Sequence, residues 1–236
     1  MNTNDSKMTT APVGRRIFVA FLILLTTGCF AETDAQPDSD AKPADRTVLI
    51  TGANRGIGLE LARQYAADGW QVIGTARKPA KADDLRALDV RILQLDVTDS
   101  QSVDSLAADL AGEPVDLLIN NAGIFPRVRK LTDVDFDDIE RTFAVNTMGP
   151  MRVTRALLPN LTGGDGKTIV HITSRLGSIA SNSGGGYYGY RESKAALNMF
   201  NRSLSAELRS DGVTCVVVHP GWVQTDMGGA LSLIHI

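Results

Sequence analysis

The sequence predicts a single α/β domain in which helices cover both faces of a doubly wound parallel sheet. From Arg46 onward, short apolar runs alternate with stretches in which apolar residues recur at helical spacing. Strands that are apolar at consecutive positions are buried on both faces, which is typical of parallel sheets. Right-handed connections between such strands produce a Rossmann-type sheet, whose ligands bind at the carboxyl ends of the strands.

The six predicted strands share this continuous apolar character. In chain order they are Thr47–Ile50, Gln71–Thr75, Arg91–Leu95, Val115–Ile119, Thr168–Ile172 and Val213–His219. Helical stretches separate them, and in the first of these Ile57, Leu61 and Tyr65 are four residues apart and share one face. The five predicted helices are Gly56–Asp68, Asp83–Leu88, Ser102–Leu110, Asp135–Leu158 and Tyr188–Arg209.

Composition excludes several classes of function. The chain of 236 residues has a formal net charge of −3 and no basic stripe, so we expect no nucleic-acid partner. Its two cysteines form no CxxC pair and its three histidines are scattered, which predicts neither a disulfide framework nor a metal site. Residues 30–45 are polar and predict a flexible linker, so the catalytic domain occupies residues 46–236.

Residues 1–29 have the pattern of a secretory signal peptide. Two arginines precede the apolar run Ile17–Leu25, which is short for a bilayer span, since a span takes about 20 apolar residues. Gly28–Cys29 resembles the end of a bacterial lipobox, which predicts an exported, periplasmic or membrane-anchored lipoprotein attached through Cys29. The arginine pair also resembles a twin-arginine signal. The alternatives are an uncleaved membrane anchor and a misassigned start codon. If the N-terminus is not a functional signal, the protein is expected in the cytoplasm.

The first predicted strand runs into a glycine-rich loop, Thr51–Gly58, and a helix follows. Glycines allow a sharp turn and a close approach of the backbone to a pyrophosphate. The helix N-terminus adds free N–H groups and a partial positive charge. The loop therefore predicts a dinucleotide site; the alternative is a glycine-rich turn without a ligand.

The end of the second strand indicates which dinucleotide the site prefers. An NAD-dependent enzyme normally places an acidic residue there, whereas this chain has Ala76 followed by Arg77. A guanidinium suits the 2′-phosphate of NADP because it keeps its charge and bonds the phosphate at two points. Arg55 in the glycine loop is a second candidate cation. Alternatively, Arg77 and Lys78 are ordinary surface charges.

Five motifs, in order and at matching spacing, resemble those of the short-chain dehydrogenase/reductase family. They are TGxxxGxG at Thr51–Gly58, the aspartate motif at Leu95–Thr98, NNAG at Asn120–Gly123, YxxxK at Tyr190–Lys194 and the PG motif at His219–Thr225. The sequence around Ser174 and Tyr190 is most similar to the branch of C-factor and sniffer-type carbonyl reductases. The resemblance implies hydride transfer between NADP(H) and a small-molecule carbonyl or alcohol.

The resemblance also implies the site residues. The catalytic set is Asn146, Ser174, Tyr190 and Lys194. The cofactor-binding set is Gly52, Asn54, Arg55, Gly56, Ile57, Gly58, Arg77, Asp96, Val97, Asn120, Ala122, Gly123, Tyr190, Lys194, Pro220, Gly221, Val223 and Thr225.

Individual roles follow from the resemblance. Asn120 and Gly123 would line the adenine ribose side, Asp96 the adenine, and Thr225 the phosphate or carboxamide end. Asn146 would help to hold a water that relays protons to the lysine. The alternatives are a helix N-terminal role for Asp96 and a capping or packing role for Asn146.

The catalytic roles of the YxxxK residues also follow from chemistry. Tyr190 and Lys194 are four residues apart on a predicted helix and share one face. A free tyrosine has a pKa near 10, and a nearby ammonium lowers it towards the working pH of an acid/base. We expect Lys194, helped by the positive charge of an oxidised nicotinamide, to do so. The alternative is a surface tyrosine and a solvated lysine.

A second hydroxyl is expected to steady the substrate oxygen, since a developing alkoxide needs a hydrogen-bond donor that is already in place. Ser174 follows the fifth predicted strand and matches the family's catalytic serine, although its spacing to Tyr190 is longer than the common one. Ser178 is the alternative candidate for this role and could contact the substrate instead.

The end of the chain departs from the family pattern. Family members usually continue with a substrate-covering segment, a helix and a last strand, which the residues after Met227 do not resemble. We therefore expect a truncated domain that lacks the C-terminal strand.

Two other functions are compatible with a nucleotide-binding fold. One is a nucleotide-binding protein with a cell-surface signalling role, and the other is a nucleotide-sugar epimerase, which the TGxxxGxG spacing disfavours. Monomer and dimer are both open.

Overall fold

The computed structural model describes residues 46–229 and 232. Six parallel strands form one sheet in the order β3-β2-β1-β4-β5-β6. Their bounds are β1 Thr47–Ile50, β2 Gln71–Ala76, β3 Arg91–Gln94, β4 Leu117–Asn120, β5 Thr168–Ile172 and β6 Thr214–Val218. This order confirms the predicted doubly wound sheet, and the strand order reverses between β1 and β4.

Seven α-helices lie among the described residues. They are α1 Gly56–Ala67, α2 Asp83–Arg86, α3 Ser100–Asp109, α4 Phe136–Phe143, α5 Gly149–Ala156, α6 Leu158–Gly163 and α7 Tyr190–Glu207. Single 3₁₀ turns occur at Pro79–Lys81, Leu131–Asp133, Arg175–Gly177 and Leu208–Asp211. None of the helices in the described part of the chain has the length and apolar character to cross a membrane.

The core lies on both faces of the sheet, as continuous apolar strands require. On one face, Leu49 and Leu118 of the central strands pack with apolar residues of α3, α5 and α7. On the other, Val48 and Ile50 pack with residues of α1 and α2. The central strands are therefore rigid supports for whatever follows their carboxyl ends.

The predicted helix Asp135–Leu158 is interrupted, which is a correction to the sequence analysis. It ends as α4 at Phe143, continues as a π-helical turn over Ala144–Met148 and resumes as α5. Pro150 has no N–H to donate to the carbonyl of Asn146 in the α-helical pattern, and a π turn accommodates this. The irregular turn carries Asn146, one of the predicted catalytic residues.

Two other helix boundaries also move. Helix α3 begins two residues earlier than predicted because the Asp99 carboxylate accepts a hydrogen bond from the N–H of Gln101 and caps the helix. Helix α7 begins at Tyr190 rather than Tyr188, since Tyr187 (φ 57°) and Gly189 (φ 78°) have left-handed backbone conformations.

The predicted signal peptide and linker lie outside the described residues, so both stay predictions. Within residues 46–229, β6 has a neighbour on one side only, β5. The predicted loss of a C-terminal strand stays a prediction as well.

Candidate active site

A cleft of about 980 Å³ opens at the carboxyl ends of the strands. Its walls come from the loops after β1, β2, β3 and β4, from the start of α7 and from the segment after β6. Of the predicted cofactor-binding residues, those that line it are Gly52, Asn54, Arg55, Gly56, Ile57, Arg77, Asp96, Val97, Ala122, Gly123, Tyr190, Lys194, Pro220 and Thr225. The cleft lies where a doubly wound sheet binds its ligands.

The glycine loop is packed so closely that side chains would fill it. Gly52 has φ 66°, and a Cβ there would lie 3.1 Å from Cα of Ala122. A Cβ on Gly58 would overlap the carbonyl of Gly52 and lie 2.5 Å from Nδ2 of Asn121. Helix α1 begins within the loop, at Gly56, and no side chain caps its N-terminus. The loop therefore offers a backbone cradle and uncapped N–H groups, which fits a pyrophosphate.

Asn121 holds the glycine loop against β4, a role that the sequence analysis did not assign. Its Nδ2 donates to the carbonyls of Thr51 at 2.9 Å and Gly52 at 3.1 Å. The hydroxyl of Thr51 accepts in return from the N–H groups of Asn121 and Ala122, each at 3.0 Å. These four hydrogen bonds fix the first and fourth strand ends together at the point where the strand order reverses.

Asn120 does not occupy the predicted position beside the adenine ribose. It is 2 % exposed and lies beneath the cleft, where its Nδ2 donates to the hydroxyl of Thr154 in α5 at 3.1 Å. The neighbouring residue, Asn121, lines the cleft instead. The NNAG motif is thus divided between a buried amide that joins the sheet to α5 and a second amide that shapes the cleft.

Asp96 and Arg77 line the same cleft, and the positive charge of Arg77 acts on the Asp96 carboxylate. The Asp96 carboxylate accepts from the N–H of Thr98 at 2.9 Å and from its hydroxyl at 2.7 Å. Burial acts to raise the pKa of Asp96, but the Thr98 hydrogen bonds and the positive charge of Arg77 outweigh it, so the pKa is lowered. The helix cap is Asp99, so the alternative role for Asp96 at the helix N-terminus is not found.

Positive charge predominates in the cleft. Seven cationic and three anionic side chains line it: Arg55, Arg77, Lys78, Lys81, Arg127, Arg141 and Lys194 against Asp96, Asp99 and Asp226. Arg55 pairs with Asp226 at 2.7 Å, and both side chains are exposed. The excess of cations suits an anionic ligand.

Tyr190 and Lys194 lie one turn apart at the start of α7, and both are buried, with exposures of 7 % and 5 %. The Lys194 amine lies 5.9 Å from the centre of the Tyr190 ring and donates to the carbonyl of Ile172 at 2.8 Å. The Ser174 hydroxyl forms a side-chain hydrogen bond with Tyr190. Three of the four predicted catalytic residues therefore meet at the ends of β5 and α7.

Burial determines the protonation of this cluster in the protein alone. It raises the pKa of Tyr190, and the hydrogen bond with Ser174 only partly opposes the change. It lowers the pKa of Lys194 to about 8. The expected lowering of the Tyr190 pKa by Lys194 is thus not found in the protein alone, because desolvation of the phenolate is the larger effect.

Asn146 is fully buried and its amide is fully engaged. Its Oδ1 accepts from the N–H of Ile124 at 2.9 Å, and its Nδ2 donates to the Ile124 carbonyl at 2.9 Å and to the hydroxyl of Ser193 at 3.1 Å. A Cβ on Gly123 would lie 3.4 Å from Asn146 Oδ1 and 3.8 Å from Lys194 Nζ. Asn146 therefore positions the cleft wall beside Lys194; its part in a proton relay stays a prediction.

The remaining predicted residues support the cleft from outside it. Gly58 and Val223 are buried, and Gly221 makes a turn with φ 84°. Ser178, the rival to Ser174, accepts a hydrogen bond from the N–H of Ser181 in its own loop. Ser174, by contrast, caps the turn that follows β5, where its Oγ accepts from the N–H of Leu176 at 3.1 Å.

Comparison with known proteins agrees with this geometry. The family model described as short chain dehydrogenase matches residues 46–233. C-signal of Myxococcus xanthus is 54% identical over 125 residues, covering 53% of this chain and 75% of that protein. A 1-hydroxy-2-glutathionyl-2-methyl-3-butene dehydrogenase of Rhodococcus is 37% identical over 184 residues, covering 77% of this chain and 79% of that protein.

Solved structures give the same answer. Carbonyl reductase Sniffer of D. melanogaster superposes with a TM-score of 0.77 at 35% identity and covers 80% of this chain and 86% of its own. The NADPH-bound carbonyl reductase from chicken fatty liver has a TM-score of 0.75 at 37% identity and covers 81% of each chain. The matches confirm the resemblance to the C-factor and sniffer-type branch. This chain belongs to the short-chain dehydrogenase/reductase family of oxidoreductases, whose members use a nicotinamide cofactor and small-molecule substrates.

Proposed function

We propose that this protein is an NADPH-dependent carbonyl reductase in which Tyr190 is the acid/base. The observation that carries the proposal is the cluster of a buried phenol, a hydroxyl and an amine at Tyr190, Ser174 and Lys194, of which the phenol and the amine line a cleft that begins at the glycine loop. A single buried tyrosine or lysine often has only a structural role. Because the phenol and the amine lie together beside the proposed dinucleotide site, their arrangement supports a catalytic role.

The preference for NADP over NAD rests on Arg77. This side chain lines the cleft just after β2 together with Lys78 and Lys81, and no carboxylate follows the strand at the position that would hold a ribose 2′-hydroxyl. Solved relatives are described as bound to NADPH or NADP. The glycine loop and the N-terminus of α1 would hold the pyrophosphate, and Asp96 would lie at the adenine. NADPH, when bound, supplies the hydride.

The chain itself manages the proton. The raised pKa of Tyr190 keeps its phenol protonated at neutral pH, which is the form that can donate a proton to a carbonyl oxygen. The Ser174 hydroxyl donates a hydrogen bond to the same oxygen as negative charge develops there. Lys194, with a pKa of about 8, gains and loses a proton close to neutral pH and can restore the phenol.

Oxidation of NADPH in the presence of a panel of aldehydes and ketones tests this proposal. We expect turnover by the wild type and a loss of roughly 1,000-fold or more in kcat for Tyr190→Phe, because the acid/base is removed. Tyr188→Phe, two residues away and outside the cleft, is the matched control. Turnover that survives Tyr190→Phe would rule out the proposed role of the phenol.

The similarity to C-signal favours a second candidate function. In this alternative the protein keeps the nucleotide-binding fold but acts at the cell surface as a signal, without turnover. Binding of NADPH with no oxidation of it by any aldehyde or ketone in the panel would favour this candidate over the reductase.

We also propose that the protein is exported and lipidated at Cys29, as the pattern of residues 1–29 predicts. Mass spectrometry of the mature N-terminus tests this directly. A diacylglyceryl group on Cys29 as the first residue supports the proposal, whereas a full-length chain that retains Met1 contradicts it.

A further inference from the structure

An aromatic and cationic row extends from the proposed acid/base into the cleft. The ring of Phe125 lies 4.3 Å from the ring of Tyr190, measured between centres. The guanidinium of Arg127 lies over the same Phe125 ring, 5.1 Å from its centre. All three side chains line the cleft. Phe125 thus contacts both the proposed acid/base and a positive charge on the wall of the cleft.

Arg127 is a cation that no carboxylate neutralises among residues 46–229. Its Nη2 donates to the main-chain carbonyl of Met227 at 2.6 Å, which is the one hydrogen bond recorded for this guanidinium within the described chain. Arg55, on the nucleotide side of the cleft, has instead an ion pair with Asp226. Arg127 is exposed and keeps further N–H donors for a ligand.

The loop that carries this row is held in place by its neighbours. The N–H of Tyr188 donates to the carbonyl of Val128 at 3.1 Å. The Tyr187 ring lies 5.3 Å from Phe125, and the guanidinium of Arg129 lies 4.4 Å from the centre of the Tyr187 ring. A cation and an aromatic ring that are already ordered lose little entropy when a ligand binds beside them.

We infer that the preferred substrate is a carbonyl compound with a flat apolar body and an anionic group remote from the carbonyl. This inference rests on the proposed reductase function. With its carbonyl oxygen at the Tyr190 hydroxyl, such a molecule lies along Phe125, and its anionic end reaches the guanidinium of Arg127. A guanidinium bonds a carboxylate at two points, which selects the anion over a neutral ester of similar shape.

The test compares 4-carboxybenzaldehyde with its methyl ester, methyl 4-formylbenzoate. For Arg127→Gln we expect kcat/KM to fall roughly 10- to 100-fold with the carboxylate, the loss typical of a charged hydrogen-bond partner. The same variant should change kcat/KM for the ester by less than about 3-fold, since no charged contact is lost. Arg127→Lys should keep part of the activity with the carboxylate, and Arg202→Gln, at an exposed position of α7 outside the cleft, is the matched control.

Binding of the two aldehydes to the complex of the protein with NADP⁺ gives a second readout, because no hydride is available there. Weaker binding of the carboxylate alone in Arg127→Gln supports the anion site even when NADPH is not oxidised, in which case the proposed reductase function fails separately. Equal losses for the acid and the ester would show that Arg127 serves only to hold Met227. That result overturns the inference and leaves the reductase intact.

Discussion

The Lys194 amine donates a hydrogen bond to the main-chain carbonyl of Ile172, 2.8 Å away at the carboxyl end of β5. This contact ties the start of α7 to the strand that leads into Ser174. The amine is thereby fixed on the cleft wall but removed from water, with 5 % of the residue exposed. Its position explains why its pKa falls from the ordinary value of 10.5 to about 8.

This shift predicts how stability changes at high pH. Between about pH 8 and pH 10.5, the unfolded chain holds a proton on Lys194 that the folded chain has lost. The free energy of unfolding should therefore rise with pH across this window, by roughly 3 kcal/mol in total for this group. Urea unfolding at a series of pH values measures the free energy of unfolding of the wild type and of Lys194→Met. The rise with pH that Lys194 contributes should be absent from the variant. Parallel profiles would contradict the assignment.

His171 predicts a second, separate pH effect. It is fully buried in β5, and burial together with the positive charge of Lys194 lowers its pKa from 6.5 to about 4. Between these pH values the unfolded chain binds a proton that the folded chain does not. Stability should therefore fall as the pH drops from about 6.5 to about 4, by roughly 3 kcal/mol from this group.

The check is the difference between wild type and His171→Gln in acid unfolding. We expect the variant to lose less stability than the wild type between about pH 6.5 and pH 4, because its amide does not titrate in this range. The same acid dependence in both proteins would mean that His171 is protonated in the folded state or that other groups dominate.

The strands could be predicted because an apolar run buried on both faces leaves a signal in consecutive residues. The glycine loop was predictable for a similar local reason, since its spacing directly reflects a turn that side chains would fill. The positions of the two NNAG asparagines could not be predicted, because both follow the predicted strand Val115–Ile119, whereas the observed β4 extends to Asn120. Whether Asn120 or Asn121 faces the cleft depends on where the strand ends and on the partner in α5.

The electrostatics of the catalytic cluster could be predicted only in part. The four-residue spacing of Tyr190 and Lys194 correctly placed both side chains on one face of a helix. It could not show how deeply they are buried, and depth of burial decides the direction of the Tyr190 pKa change. The π-helical turn around Asn146 was missed because the apolar periodicity continues through it, and only Pro150 marks the interruption.

Gly58 offers a test of the glycine cradle. In Gly58→Ala the new methyl group would overlap the Gly52 carbonyl and press on the Asn121 amide. We expect overpacking to lower the free energy of unfolding by roughly 1–3 kcal/mol. The affinity for NADPH should fall by a larger proportion, because the methyl group occupies the cradle itself. Gly163→Ala in α6 is the control, since a Cβ there meets open space. Thermal unfolding and fluorescence titration with NADPH measure the two effects; a variant that binds NADPH normally would contradict the cradle.

The choice between NADPH and NADH provides the sharpest test of Arg77. Its guanidinium lies at the end of β2, where its positive charge also acts on Asp96. In Arg77→Gln we expect the KM for NADPH to rise roughly 10- to 100-fold, because a charged partner of the 2′-phosphate is lost. The KM for NADH should stay nearly unchanged, since NADH has a hydroxyl there.

Arg86→Gln is the control for this experiment, because Arg86 is an exposed arginine that pairs with Asp83 and does not line the cleft. Equal changes for the two cofactors in Arg77→Gln would place Arg77 among ordinary surface charges. A rise in KM for NADPH alone would instead show that this guanidinium binds the 2′-phosphate, the one group by which the two cofactors differ. The ratio of the two KM values is the decisive quantity, since a general disturbance of the cleft alters both alike.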